Sequence, residues 1–374
     1  ISGPVILDIA DGNYDELIIV GGFPGSDSTN TVTFRGASGN KNNVVIGAIS
    51  SSGDALTLDD ATYLRFDNVT FGTTTSTAAG LRIKNTLTDV KFTNCNLFSM
   101  IGGSGNAYSC LYRDAGATMM ITGLDFKHCL FQGGYHNVYM INGGQSSSIY
   151  GDVKFDSCDF IDASYDGLSM WYPDYVNFTI KYCNFSNRPG ISTYYAIRCG
   201  NVTSYTGIDT CMGNKIRCTA TSTNYGIFLG QTINYGGQLN GKYAYVANNE
   251  VIIDGGTSTN YGLYWYNLGY IALYANSVHI EGKGGTSYGF CMQNTSTSHV
   301  IKVKYNNFYI NNPNGISYTV MHTAGSFAPG LVQWDYNNHY TTGQFVASNF
   351  TKLNDWITAS QEVTALNERV NFID

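Results

Sequence analysis

One slot recurs in this chain at a step of about 30 residues, and that recurrence constrains the fold more than any other feature. The slot holds Val69 in RFDNVTF, Cys95 in VKFTNCNLF, Cys129 in LDFKHCLF, Cys158 in VKFDSCDF and Cys183 in FTIKYCNF. It continues as Asn214 in MGNKI, Asn249 in ANNEV, Asn276 in YANSV and Asn306 in YNNFYI. A second phrase follows each first one: GLRIKN (80–85), SCLYRD (109–114), NVYMIN (137–142), GLSMWY (167–172) and AIRCGN (196–201). It runs on as GIFLGQ (226–231), GLYWYN (262–267), GFCMQN (289–294) and TVMHT (319–323). Two columns that keep one step over this length belong to a solenoid, in which each unit is a coil that buries its core only against its neighbours.

The phrases read as strands. Val153 and Phe155, then Cys158 and Phe160, alternate with polar neighbours at period two, and Gly, Asn and Ser clusters separate the runs. Gly (43) and Tyr (29) are abundant and charged residues make up only 13%, a mixture that suits a turn-rich β chain. Stretches of helical period are scarce, which disfavours leucine-rich, ankyrin and tetratricopeptide repeats. The expected architecture is all-β: a single-domain parallel β-helix of about nine coils, stacked ~4.8 Å apart. Residues 1–45 read as an N-terminal cap and first coil, 46–326 as the coils, and 327–374 as a C-terminal capping segment. TKLNDWITASQE would supply a short helix there, since the open end of such a stack exposes unpaired strand edges.

In that stack the four slot cysteines are small buried apolar groups with free thiols, and the asparagines that follow pass amide hydrogen bonds along the column. The nine cysteines match no zinc spacing. Asp152, Asp156, Asp159, Asp162, Asp166 and Asp174 crowd the fourth coil, and carboxylates in turns have the oxygen chemistry of a Ca²⁺ site. Lys154 and Lys181 lie among them, so pairing with Asp156 and Asp159 accounts for the cluster without a metal, and no cofactor is expected. A net charge of −7 argues against a nucleic-acid partner. No apolar run is long enough for a membrane span. The chain starts at Ile1, with neither an initiator Met nor a signal-type apolar run, and reads as a processed or excised piece.

The opening GPVILDIADGNYDELIIVGG (3–22), the repeat, and the closing WDYNNHYTTGQF (334–345), KLNDWITASQEV (352–363) and VNFID (370–374) together resemble one superfamily. It is the right-handed, pectate-lyase-like β-helix superfamily of secreted bacterial and phage proteins, and the resemblance covers nearly the whole chain. It implies a right-handed coil, an extracellular or cell-surface location, and a polysaccharide or cell-surface glycan as partner. Its tailspike members imply a homotrimer. The resemblance fixes no activity, because the superfamily holds lyases, hydrolases, epimerases, tailspikes and adhesins. Of the NTD, DD, GHG and RIK motifs of its polygalacturonases only RIK occurs, at 82–84, and the vWIDH-type strand of its pectate lyases is missing.

Candidate chemistry lies just before the second phrase. A column there runs Ala79, Tyr108, His136, Asp166, Tyr195, Tyr225, Tyr261, Tyr288 and Tyr318, on the inward side of the sheet or at a corner. His136 and Asp166 interrupt this tyrosine row in adjacent coils. They are either a general base with its orienting carboxylate or a satisfied pair inside the stack. The outward positions of the same sheet are read as Arg82, Lys84, Leu111, Arg113, Tyr139, Ile141, Ser169 and Trp171, then Arg198, Phe228, Tyr264, Tyr266 and Gln293. Tyr139, Trp171, Phe228, Tyr264 and Tyr266 would offer rings to sugars, and Arg113 and Arg198 would meet carboxylates or sulfates. A covering loop or neighbouring subunit is the alternative account of that face. Two functions follow. One is a polysaccharide-binding enzyme, a lyase or glycoside hydrolase on acidic glycans, in which His136 abstracts a proton, Asp166 orients it, and Arg113 or Arg198 neutralises the uronate. The other is a non-catalytic adhesin, phage tail component or stalk.

Overall fold

The computed structural model describes residues 1–47, 53–73, 78–113, 119–141, 149–171, 175–200, 210–230, 244–266, 271–293, 301–322, 332–342 and 365–366. Every element among them is a strand, and the chain is a parallel β-solenoid of about nine coils built on three parallel sheets. Contacts divide it into two compact units, one built on Ile1–Asn184 and the other on Phe185–Asn201 with Ile208–Asp374.

In the first unit, the first sheet includes Leu64–Asp67, Leu87–Thr93, Met120–Lys127 and Ile149–Asp156, paired in parallel. Register aligns Phe66, Phe92, Phe126 and Phe155. Their buried rings stack at 4.7, 4.8 and 5.2 Å, near the strand spacing itself. The chain then turns into the second sheet on one residue in the left-handed region: Asn68, Asn94, His128, Ser157 and Tyr182 have φ of 58, 51, 54, 54 and 56°. After the turn the next residue, the slot, points inward. Cys95, Cys129, Cys158 and Cys183 are buried free thiols there, as the repeat predicts. Each sulfur donates to a carbonyl one coil earlier, on Phe66 (3.2 Å), Phe92 (3.5 Å), Phe126 (3.4 Å) and Phe155 (3.5 Å). Cys95 and Cys129 also accept the backbone N–H of the preceding slot residue, Val69 and Cys95 respectively.

The second unit repeats this frame with amides in the slot. Asn214, Asn249, Asn276 and Asn306 each donate Nδ2–H to Oδ1 of the next slot, at 2.9, 2.9, 2.9 and 3.0 Å. The same Oδ1 atoms accept the backbone N–H of the slot residue before them, at 3.0–3.1 Å. Nδ2 of Asn249, Asn276 and Asn306 also reaches the carbonyls of Cys211, Val246 and Leu273, which occupy the position Phe66 holds for Cys95. Thiol and amide therefore satisfy one buried donor and one buried acceptor in the same place.

The coils extend further than the sequence reading puts them. Val332–Asp335 pairs with Ile301–Lys304 and Asn337–Thr341 with Asn307–Asn311, so 327–374 is not all cap. Asn337 receives the Asn306 amide and Trp334 is buried, which makes WDYNN a further first phrase. The helix expected over 351–362 lies outside the described residues. At the other end Val5–Ile9, Gly12–Tyr14 and Ile18–Val20 pair in parallel with the strands that follow, forming a full coil.

Candidate functional site

The third sheet carries the second phrases, and its outer surface holds most of the candidate residues. In the first unit it brings His136 and Asp166 together in register, with Nδ1 2.8 Å from Oδ2. The pair is closed off from solvent: His136 is 2% exposed and Asp166 0%. Tyr135 and Tyr165 stack at 5.1 Å beside it, and the His136 ring lies edge-on to Tyr135 (4.7 Å) and tilted against Tyr139 (4.5 Å). His136 Nε2, the nitrogen a base would use, is buried without a hydrogen-bond partner among the described residues. A base must reach a proton on its substrate, and this nitrogen has no route to one.

Arg113 is not on the outer face. Leu111 pairs with Leu81 and Val138 on the inward side, so Arg113, two residues on, also points inward and is fully buried. Its Nη1 donates to Ile141 O (3.3 Å), its Nε to Met119 Sδ (3.4 Å), and its guanidinium carbon lies 5.7 Å from the Tyr150 ring centre. Burial pushes the Tyr150 hydroxyl up from its usual range. The outward residue is Tyr112, which stacks on Tyr139 at 5.9 Å beneath Arg82. Trp171, expected outward, is buried.

In the second unit the tyrosine column is an outer ladder and not an inward one. Tyr195, Tyr225, Tyr261, Tyr288 and Tyr318 are half-buried and stack at 4.2, 4.6, 5.0 and 5.4 Å. The inward position is one residue earlier, where Asn224 donates to Asn260 (2.9 Å) and Asn260 to Ser287 (3.2 Å). Parity changes at the glycine after each tyrosine. A Cβ on Gly226 would strike Val251, so this residue and Ile227 both face the core.

Stacked rings spend their faces on one another and present their edges. Phe228 leaves the ladder, meeting Tyr264 edge-on at 4.6 Å. Tyr264 itself is buried, with its hydroxyl donating to Gln293 Oε1 (2.6 Å). Burial pushes the Tyr261, Tyr264 and Tyr288 hydroxyls upward. Tyr266 and Phe228 are partly exposed, and the Arg198 guanidinium lies 5.0 Å over the Tyr195 ring. This part of the face therefore offers a cation, an open phenyl ring and a row of phenol edges.

No group of three or more His, Cys, Asp or Glu is placed to hold a metal among the described residues. Lys154 pairs with Asp152 (2.9 Å), where the sequence reading assigned it to Asp156 or Asp159, and Asp159 instead accepts from Asn184 (2.7 Å). A groove of ≈ 440 Å³ in the first unit, lined by Thr73, Phe98, Ser99, Met100, Ile101 and Gln132, contains none of the candidate residues. No protein-family model matches the chain, and no curated protein matches it.

Proposed function

We propose that this is a polysaccharide-binding β-solenoid that works without catalysis, as an extracellular or cell-surface adhesin or a tail-like component. The observation that carries the reading is the partly exposed outer surface of the third sheet in the second unit, with Arg198 over Tyr195 and Phe228 beside the ladder. A flat row of aromatic edges and rings suits an extended sugar chain, and a guanidinium suits its carboxylates or sulfates. The burial of His136 and Asp166 and the core position of Arg113 favour the binding role over the lyase role. The pectate-lyase-like ancestry and the homotrimer implied by the sequence belong to this same proposal.

Affinity electrophoresis through gels cast with pectin, alginate or a glycosaminoglycan tests it. Retardation by an acidic polysaccharide is expected, weakened by salt, by Arg198→Ala and by Phe228→Ala. A lyase assay on the same polymers, following the ultraviolet absorbance of unsaturated uronates, should stay silent. Unsaturated product that disappears in His136→Ala would restore the catalytic reading, and absence of retardation by every acidic polymer would overturn the binding one.

A further inference from the structure

The turn from first to second sheet is made on one residue in the left-handed region, which costs an L-residue about 1–2 kcal/mol and which only Gly, with Asn and Asp at times, adopts readily. The chain uses suitable residues at Asn68, Asn94, Gly213 and Asn248, and Asn94 Nδ2 donates to Asn68 Oδ1 (2.6 Å). At Tyr182, Tyr305 and Tyr336 the same turn, with φ of 56, 62 and 57°, carries a bulky ring. These rings are 56, 59 and 52% exposed, so packing into the core does not offset the backbone cost. Backbone strain that folding leaves unexplained concentrates at functional surfaces.

Tyr305 and Tyr336 lie parallel, 5.1 Å between centres and 7° between planes. Tyr336 covers one face of Tyr305. The turn residue one coil earlier is Ala275, too small to cover the other face, which opens over a shelf about one strand spacing (~4.8 Å) deep. Beside the shelf stand Ser277 and Asn307, the latter accepting from Asn338 Nδ2 (2.9 Å). Lys304, next to Tyr305, is held by Asp335 at 3.0 Å. The surroundings are hydroxyl and amide groups with a neutralised lysine.

We propose that the Tyr305–Tyr336 turn is a binding site for a neutral pyranose, whose C–H face stacks on the open face of Tyr305 above Ala275. Amides and hydroxyls beside an aromatic platform match the hydroxyl rim of a sugar. Because Asp335 already occupies Lys304, the class is a neutral sugar and not a uronate. The site extends the glycan-binding reading to a second surface but shares no residue with the third sheet.

Isothermal titration of the full chain with short neutral gluco-, manno- and galacto-oligosaccharides tests this. At least one series should bind, and Tyr305→Asn should weaken it about tenfold, or ~1.4 kcal/mol, while the thermal midpoint holds or rises because Asn suits the turn. Ala275→Tyr, which fills the shelf and leaves Tyr305 in place, should abolish the same binding. Arg198→Ala and Phe228→Ala should leave it unchanged, so the third-sheet proposal and this one can fail separately. Three results would each overturn the inference. They are no binding by any neutral series, binding unchanged in both Tyr305→Asn and Ala275→Tyr, and a midpoint several degrees lower in Tyr305→Asn, which would make the ring structural.

Discussion

Truncating Asn276 to alanine examines the slot column most directly. Its Nδ2 donates to Val246 O (2.9 Å), Tyr274 O (3.1 Å) and Asn306 Oδ1 (2.9 Å), and its Oδ1 accepts from Asn249 N (3.1 Å) and Nδ2 (2.9 Å). After truncation Asn249 Nδ2 still has Cys211 O, and Asn306 Oδ1 still has the Asn276 N–H. The Asn249 backbone N–H loses the acceptor it has in this column. Stranding one buried donor costs about 1–3 kcal/mol and each further lost bond about 0.5–1.5 kcal/mol. Asn276→Ala should therefore lose about 3–5 kcal/mol in all. Asn276→Cys should lose about half as much, because a thiol in the first unit already serves the equivalent carbonyl and N–H. Asn276→Leu should match alanine, since it fills space but supplies neither bond. Equilibrium unfolding in guanidinium, read by the fluorescence of the buried Trp265 and Trp334, gives all three values. A loss below about 1 kcal/mol for alanine, or a cysteine variant no better than alanine, would refute the reasoning.

Three further outcomes are expected. In Gly262→Ala the new Cβ would run into Val278 Cγ1 and Gly289 O (2.7 Å), and a lower thermal midpoint, equivalent to about 1–3 kcal/mol, should follow. All nine cysteines are buried, so an aromatic disulfide reagent should titrate no thiol in the native protein and all of them after unfolding; rapid native labelling of any one would contradict the packing. Burial pushes the Cys110 and Cys291 thiols from 9.0 up to about 12. Only the unfolded thiols ionise between those values, so this stability is intact below pH 9 and falls as pH rises towards 12, by up to ~1.4 kcal/mol per pH unit per thiol. Denaturation midpoints across that window should drop, and less steeply in Cys291→Ser.

The fold was legible because the slot leaves two independent marks, a period and a chemistry. Cys95 through Cys183 and Asn214 through Asn306 announce buried positions wherever the frame is placed. The outer face was harder to read because alternation is not strict. In SCLYR both Cys110 and Leu111 are buried, which shifts the frame by one and sends Arg113 inward and Tyr112 outward. The glycine of TNYG does the same, so counting back from Ile227 places Tyr225 on the wrong side; the repeated Asn-Tyr-Gly of 224–226 and 260–262 was the available signal. The burial of His136 depends on Tyr135, Tyr139 and Tyr165, and nothing local to HNV encodes it. The turn tyrosines have a positional mark only, being the residue before a slot asparagine in YNN.

Each amide of the slot column takes from the coil before and gives to the coil after, always with the same atoms. The column is thus a polar chain with a direction, and any one link fits any other. Excising one whole period, from Asn249 through Ala275, would set Asn276 against Asn214 with donor facing acceptor again, shortening the stack by ~4.8 Å and orphaning nothing in the column. Length in this unit is therefore a variable that a sequence can change in whole coils, by duplication or loss, without redesigning the interior.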